Sequence, residues 1–155
     1  MTSIRSSNRD ILIAEEQKLR LQDIIDSALI APGRSPERIQ NLRALKEELD
    51  RAQLRPIAQL PESVVRVESW VEVEDLSDGF AEQFQLVFPE HADLAENRIS
   101  MLTPLGIAVL GQREGDKVEY QAPGGTTRIR IRKVSQKPLE SCAPDPQSFL
   151  RNYNE

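Results

Sequence analysis

Few side chains in this sequence are of a type that performs chemistry. The 155 residues include one cysteine, Cys142, and one histidine, His91. Cys142 lies in a proline-rich tail, where we interpret it as a bystander thiol, and a single cysteine cannot form an internal disulfide. His91 lies in a polar connector without a second ligand nearby, so we expect no metal site there. We therefore predict no catalytic residue, no metal and no cofactor.

Two other patterns look like binding motifs. Gly124 and Gly125 resemble part of a phosphate loop, but no G-K-[S/T] follows them, and a hairpin turn is the better interpretation. Arg128, Arg130 and Arg132 alternate along a predicted strand and must share one face. They form either a patch for an anionic partner or cross-strand pairs with acids, and we favour pairing. The candidate acids are Glu72, Glu74 and Glu119.

Three aromatic residues support an alternative hypothesis of enzymatic activity. Trp70, Phe84 and Tyr120 could line a pocket like that of a prolyl isomerase. The chain has seven aromatic residues, so few remain for a pocket once a core is filled. A prolyl isomerase or chaperone is therefore an alternative rather than our main prediction.

Charge and hydropathy restrict the class of partner. Residues 1–60 hold ten basic and nine acidic side chains, residues 61–155 hold ten and sixteen, and the net charge is −5. Nucleic-acid binding depends on Lys and Arg contacts to phosphates, so a basic protein surface is the better partner. The sequence has no apolar run of membrane-spanning length, and "MTSIRSSNRD" lacks the apolar stretch of a signal peptide. We expect a cytoplasmic protein.

The first half of the chain has helical periodicity. Apolar residues at spacings of three and four predict one helix at about 15–30 and a second beginning near Ser35. Ser35 is a suitable N-cap, Pro36 suits the first helical position, and Glu37 suits the positive end of the helix dipole. Two amphipathic helices joined by a short turn predict an antiparallel helical hairpin. The apolar residues are Leu21, Ile24, Ile25, Ala28 and Leu29, then Ile39, Leu42, Leu45, Leu49 and Ala52.

Two segments flank the hairpin. Asp10–Ala14, "DILIA", is either an extended arm lying on the rest of the protein or the first turn of the helix, and the sequence supports both interpretations. Arg55–Glu62, "RPIAQLPE", contains two prolines and is typical of a linker.

The second half has strand periodicity. Thr103, Pro104 and Gly111 predict one short helix, with a cap, a first residue and a left-handed end. Strands with one short helix laid across them indicate an α+β fold with a twisted antiparallel sheet. The predicted strands are Val64–Leu76, Ala81–Phe88, a short one near Arg98–Ser100, one in "GDKVEYQ" and Thr126–Val134.

These elements divide the chain into four parts. Residues 1–55 form the hairpin with an N-terminal arm, residues 56–62 the linker, and residues 63–137 the α+β domain. Residues 138–155 form a loosely held tail, with Phe149 and Tyr153 available to fasten its end.

The stretch "NRISMLTPLGIAVLGQREGDKVEYQAPGGTTRIRIRKV" resembles the Gre-type transcription elongation factors. Their C-terminal domain is FKBP-like and carries a similar I-S…P-x-G-x-A-L-x-G…G-D-x-V…P-G-G pattern. The hairpin exit "EELDRAQ" and the turn "LSDG" are similar to the branch called regulators of nucleoside diphosphate kinase. In that branch a shortened coiled-coil hairpin carries the same domain.

The resemblance implies RNA polymerase as the partner, with docking at the rim of its secondary channel. The family's docking segment has the pattern I-S-x-D-S-P, and here Leu102 stands where an acid is common. We therefore expect a contact that is either more apolar or moved to a different position. The implied docking loop consists of Ser100, Met101, Leu102, Thr103 and Pro104.

The resemblance also implies a use for the hairpin tip, here Gly33, Arg34, Ser35 and Glu37. In Gre factors acidic residues at the tip of a longer hairpin help to hold a catalytic magnesium for transcript cleavage. Magnesium prefers oxygen ligands, and Glu37 is the single acid in "IAPGRSPER". A helix of about 16 residues spans only about 24 Å. We expect a regulator that competes with Gre factors without stimulating cleavage.

The remaining expectations concern other partners. The family has a general association with DNA, but the charge argues against direct, sequence-specific nucleic-acid binding, and we expect no membrane contact. The oligomeric state is left open. A general protein-interaction adaptor is a further alternative.

Overall fold

The computed structural model describes residues 11–122 and 125–137. The predicted tail at 138–155, Cys142 within it, and Gly124 lie outside the described residues. Ala122 pairs with Gly125 in neighbouring antiparallel strands.

The helical hairpin has the predicted boundaries. Helix α1 spans Glu15–Ile30 and helix α2 spans Pro36–Arg51. The Ser35 hydroxyl accepts a hydrogen bond from the Arg38 backbone nitrogen at 3.2 Å, and Pro36 is the first helical residue. The predicted capping is therefore confirmed. The apolar faces of both helices are buried in one hydrophobic cluster.

The segment before α1 is an extended arm rather than a helical turn. Strand β1, Leu12–Ala14, is buried and pairs in parallel with β2, Gln53–Arg55, directly after α2. The Ile11 side chain packs against Gly111, where an added Cβ would lie 2.7 Å from the Cβ of Ile11. The arm thus connects both ends of the hairpin and contacts the second half of the chain.

The segment predicted as a linker packs against other parts of the chain. Ile57–Gln59 forms a 3-10 turn whose first backbone nitrogen donates to the Glu16 carboxylate at 2.9 Å. Leu60 is buried with Leu12, Ala14 and Val64 in a small second cluster.

The second half forms a five-stranded sheet in the order β5-β4-β3-β7-β6. Neighbours are antiparallel except β4 and β5, which are parallel. The prediction of a wholly antiparallel sheet was wrong at this edge, because two 3-10 turns, Pro89–His91 and Leu94–Glu96, return the chain before β5 begins. The strands are β3 Trp70–Asp75, β4 Ala81–Val87, β5 Arg98–Ser100, β6 Lys117–Ala122 and β7 Gly125–Ser135.

The first predicted strand, Val64–Leu76, is about twice as long as the observed β3. A turn at Arg66–Ser69 precedes β3, with the Ser69 nitrogen donating to the Arg66 oxygen at 3.0 Å. The Ser69 hydroxyl accepts from the Arg66 nitrogen at 2.9 Å, and Glu68 has a positive φ of 85°. Local side-chain bonds of this kind compete with strand pairing.

Helix α3, Pro104–Val109, begins and ends as predicted. The Thr103 hydroxyl accepts from the Gly106 nitrogen at 3.0 Å, and Gly111 has a φ of 79°. The side chains of Leu105 to Val109 are all buried, so the helix closes one side of the core.

The hairpin is held against the sheet half by polar contacts as well as by apolar packing. The Arg20 guanidinium lies 4.0 Å from the Phe88 ring centre and forms an ion pair with Glu90. The buried Gln17 side chain donates to the Val67 backbone oxygen at 3.0 Å. Helix α1 is therefore held against one edge of the sheet half.

We predict that Gly106→Ala destabilises the protein. An added Cβ would lie 2.3 Å from the Ser100 oxygen and 2.9 Å from the Met101 Cα. Intrinsic helix propensity favours alanine by about 1 kcal/mol, whereas the clash should cost about 1–3 kcal/mol. Urea unfolding measures the change in the free energy of unfolding. A variant more stable than the wild type would contradict the close approach of Gly106 to the Ser100 and Met101 backbone.

We predict that Arg20→Met weakens the attachment of the hairpin by about 1 kcal/mol, because the cation–π contact and the exposed ion pair each contribute a fraction of that. A double-mutant cycle with Glu90→Gln in thermal unfolding measures the coupling. Strict additivity of the two substitutions would show that the ion pair contributes nothing.

Candidate partner-binding groove

The predicted docking loop is largely buried. The side chains of Ser100, Met101 and Thr103 are inside the protein, Leu102 is 5% exposed, and Pro104 is partly buried. The loop also satisfies its own polar groups: the Ser100 hydroxyl accepts from the Leu102 nitrogen at 3.0 Å, and the Thr103 hydroxyl donates to the Ser100 oxygen at 2.8 Å. The loop is therefore a fixed turn rather than an open row of side chains.

The hairpin tip lies close to this loop. Gly33 has a φ of 83° and is exposed, and Ser35 and Glu37 are exposed in the turn and in the first turn of α2. The Arg38 side chain donates to the Leu102 backbone oxygen at 3.4 Å. The tertiary structure thus brings together two segments that were identified separately in the sequence.

Tip and loop share a groove of about 350 Å³. Arg34 of the tip and Leu102 of the loop both line it, and the remaining lining residues come from α1 and from Ala31, directly after it. A volume of this size lies at the lower end of the range for binding sites. The lining residues are Asp23, Ile24, Ser27, Ala28, Ala31, Arg34 and Leu102.

The contribution of α1 to this groove was not predicted. Ile24 and Ala28 were assigned to the interface between the helices, and nothing in the sequence marked Asp23, Ser27 or Ala31. Their position relative to Leu102 depends on how the hairpin packs on the sheet half. The spacing of apolar residues within α1 does not indicate a contact between this helix and Leu102.

The groove suits binding rather than catalysis. Its surface is mostly apolar, with one carboxylate from Asp23 and one guanidinium from Arg34. Nearby on the hairpin, Lys46 contacts Asp26 at 2.7 Å, and this hydrogen bond raises the pKa of Lys46. One acid and one base on a mostly apolar surface can recognise a partner by its charge and shape.

The tip is a poor magnesium site. Glu37 is the one carboxylate of the turn, and it is placed where it interacts favourably with the helix dipole. Across residues 11–122 and 125–137, no group of three or more His, Cys, Asp or Glu side chains could hold a metal ion. The donor set at the tip does not fit a hard divalent cation.

The arginines of β7 pair across strands, as predicted. Arg128 contacts Glu119 at 3.4 Å and Arg132 contacts Glu72 at 3.5 Å. Arg130 lies in register with Glu74. Exposed pairs of this kind add little stability. They engage two of the three arginines that a binding patch for an anionic partner would need.

The aromatic residues do not line an open pocket. Phe84 and Tyr120 are fully buried, and only Trp70 is partly exposed. Two of the three side chains proposed for an isomerase pocket therefore belong to the core. Among the residues that the structure describes, no helix has the length and apolar character needed to cross a membrane.

Comparison with known proteins agrees with this architecture. The family model "Transcription elongation factor, GreA/GreB, C-term" matches residues 60–136. The regulator of nucleoside diphosphate kinase of Escherichia coli (strain K12) is 35% identical over 96 residues, 61% of this chain and 71% of that protein. Transcription elongation factor GreA of Methylococcus capsulatus is 34% identical over 94 residues, 60% of each chain.

A solved structure is also similar. The prokaryotic transcription elongation factor GreA/GreB from Nitrosomonas europaea has a TM-score of 0.67 and 29% sequence identity, covering 83% of this chain and 99% of that one. The similarity therefore includes the region before the matched domain as well as the domain itself. This chain belongs to the Gre-type transcription elongation factor family, and within it is similar to the regulators of nucleoside diphosphate kinase.

Proposed function

We propose that this protein binds RNA polymerase at the entrance of the secondary channel and regulates transcription without being an enzyme. It competes there with Gre-type cleavage factors and does not itself stimulate transcript cleavage. The observation that carries the proposal is a hairpin of two 16-residue helices with an acid-poor tip, attached to a Gre-type domain. The site of action would be the cytoplasm.

Reach supports the part of the proposal that concerns cleavage. A 16-residue helix is about 24 Å long at 1.5 Å per residue. Part of that length lies against the sheet half, because Gln17 and Arg20 near the start of α1 contact it. A hairpin of this length occupies a channel entrance rather than reaching a distant active centre.

Tip chemistry supports the same conclusion. Gre-type cleavage depends on acidic side chains that help to hold magnesium, and this tip offers Glu37 beside Arg34 and Arg38. The positive charges of these two arginines repel a magnesium ion and so disfavour its binding. A hairpin that enters the channel would therefore block it without adding a metal ligand.

Docking is proposed to use the groove and its rim. The loop residues Ser100, Met101 and Thr103 support this surface from inside, Leu102 forms part of the groove wall, and Pro104 is accessible at its side. An apolar side chain of the polymerase placed in the groove would contact Leu102, which fits the replacement of the family's usual acid. In this proposal residues 63–137 and residues 1–55 share the docking groove, and the hairpin in residues 1–55 also blocks the channel.

The alternatives have weaker support. Prolyl isomerase activity would need an open aromatic pocket, whereas Phe84 and Tyr120 are core residues. A general adaptor would use the same exposed surfaces with another partner. A pull-down with purified protein that retains partners but lacks polymerase subunits would favour the adaptor.

We predict mutual displacement between this protein and a Gre-type cleavage factor on purified core RNA polymerase. Fluorescence anisotropy with either protein labelled measures the competition, and stalled elongation complexes test cleavage in parallel. We expect displacement without cleavage. Restored cleavage would contradict the argument from the tip, and the absence of binding at micromolar concentration would remove the proposed function.

We predict that Ser27→Trp weakens polymerase binding by about tenfold or more, because the indole would fill the groove. Ser27 is an exposed residue of α1, so the melting temperature should remain close to that of the wild type. Gln40→Trp, at an exposed position of α2 outside the groove, is the matched control. Equal affinities of the two variants would exclude the groove as the docking site.

A further inference from the structure

Two large apolar side chains on α1 face solvent. Leu19 is 76% exposed and Ile30 is 86% exposed, whereas the other exposed large hydrophobic residues among those described lie between 37% and 43%. Single exposed apolar residues are common on protein surfaces and need no explanation. The relative positions of these two residues decide whether they form a surface.

Leu19 and Ile30 lie on the same side of α1. They are eleven residues apart, which is about three helical turns and roughly 16 Å. Asp23 and Asp26 lie between them at intervals of four, three and four residues and are also exposed. We call Leu19, Asp23, Asp26 and Ile30 the outer face of α1. It is opposite the buried side of the helix.

The spacing indicates a helix as the binding partner. Apolar positions one to three turns apart on a helix suit a second helix lying alongside, with its own apolar side chains at matching intervals. The outer face also adjoins the groove, because Asp23 belongs to both. A partner docked in the groove would therefore extend along this face.

Charge selects the type of helix. Two carboxylates between two apolar residues complement a helix that carries Lys or Arg between apolar positions. A second copy of this chain fits poorly, because antiparallel pairing about the centre of the face would place Asp23 opposite Asp26 of the other copy. Lys46 already contacts Asp26, but both side chains are about half exposed, so an incoming cation can compete.

We propose that the outer face of α1 binds a basic amphipathic helix of RNA polymerase, adding a contact beyond the groove. The inference rests on the proposed function. It extends the part of α1 in partner recognition from the groove to the outer face, whereas the family resemblance assigned recognition to the docking loop and the hairpin tip.

The test is binding of the double variant Leu19→Ser with Ile30→Ser to purified core RNA polymerase, measured by anisotropy. We expect the affinity to fall by about tenfold or more, since two apolar contacts are lost. The control is Gln40→Ser with Glu47→Ser, which changes two exposed positions on α2. The control should bind within about twofold of the wild type.

The charge of the partner is tested separately. Wild-type affinity should decrease with salt, and Asp23→Asn should make that dependence less steep, because rim charges act mainly on association. Glu47→Gln is the matched control. Affinity that does not depend on salt would overturn the assignment of a basic helix.

Each remaining outcome is decisive. If the wild type binds and the Leu19/Ile30 variant binds equally well, the inference fails and the proposed function stands. If the wild type does not bind, both fail. A dimer of the wild type that the double variant abolishes would assign the face to a second copy. A lowered melting temperature in that variant alone would mean that the chain covers the face itself. Either result overturns the inference.

Discussion

The helical hairpin and the five-stranded sheet share one hydrophobic core. Leu21, Ile25 and Leu45 of the hairpin are buried in the same cluster as Val71 and Ile131 of the sheet. Burial of apolar surface is the main favourable term in folding, so the two halves stabilise each other. The position of the hairpin, and with it the groove, follows from this common core.

The shared core explains why the loop before α3 is buried. Gly106 allows α3 to approach the Ser100–Met101 backbone closely enough that a single added methyl group would clash. The hairpin then covers the loop from the other side, with Arg38 donating to Leu102. A segment held from both sides presents a fixed shape, which suits a docking surface that must be formed before its partner arrives.

The arrangement also explains why the chain is better suited to binding than to chemistry. Two of the three arginines on β7 form ion pairs with acids across strands, two of the three aromatic residues considered for a pocket are in the core, and the tip carries one carboxylate. Accessible features of the described residues include an apolar groove with one acid and one base, beside an apolar and acidic face of α1. These are features of recognition between proteins.

The sequence by itself determined the elements whose signals are local. Ser35 and Pro36 begin α2, and Thr103 and Pro104 begin α3, because a cap bonds to a backbone nitrogen three residues away. The helical hairpin and the family also followed from short patterns. The alternation in Val64–Leu76 predicted a strand that begins too early, because a turn stabilised by Ser69 takes the place of the first part of that strand.

Only the tertiary structure decided the rest. The direction of β5 depends on how two 3-10 turns return the chain, and the arm at β1 pairs with a strand some forty residues later. The groove joins α1 to Leu102, and the Arg38–Leu102 hydrogen bond spans 64 residues of sequence. Such contacts form because distant apolar faces are buried together, and no local pattern in either segment encodes the pairing.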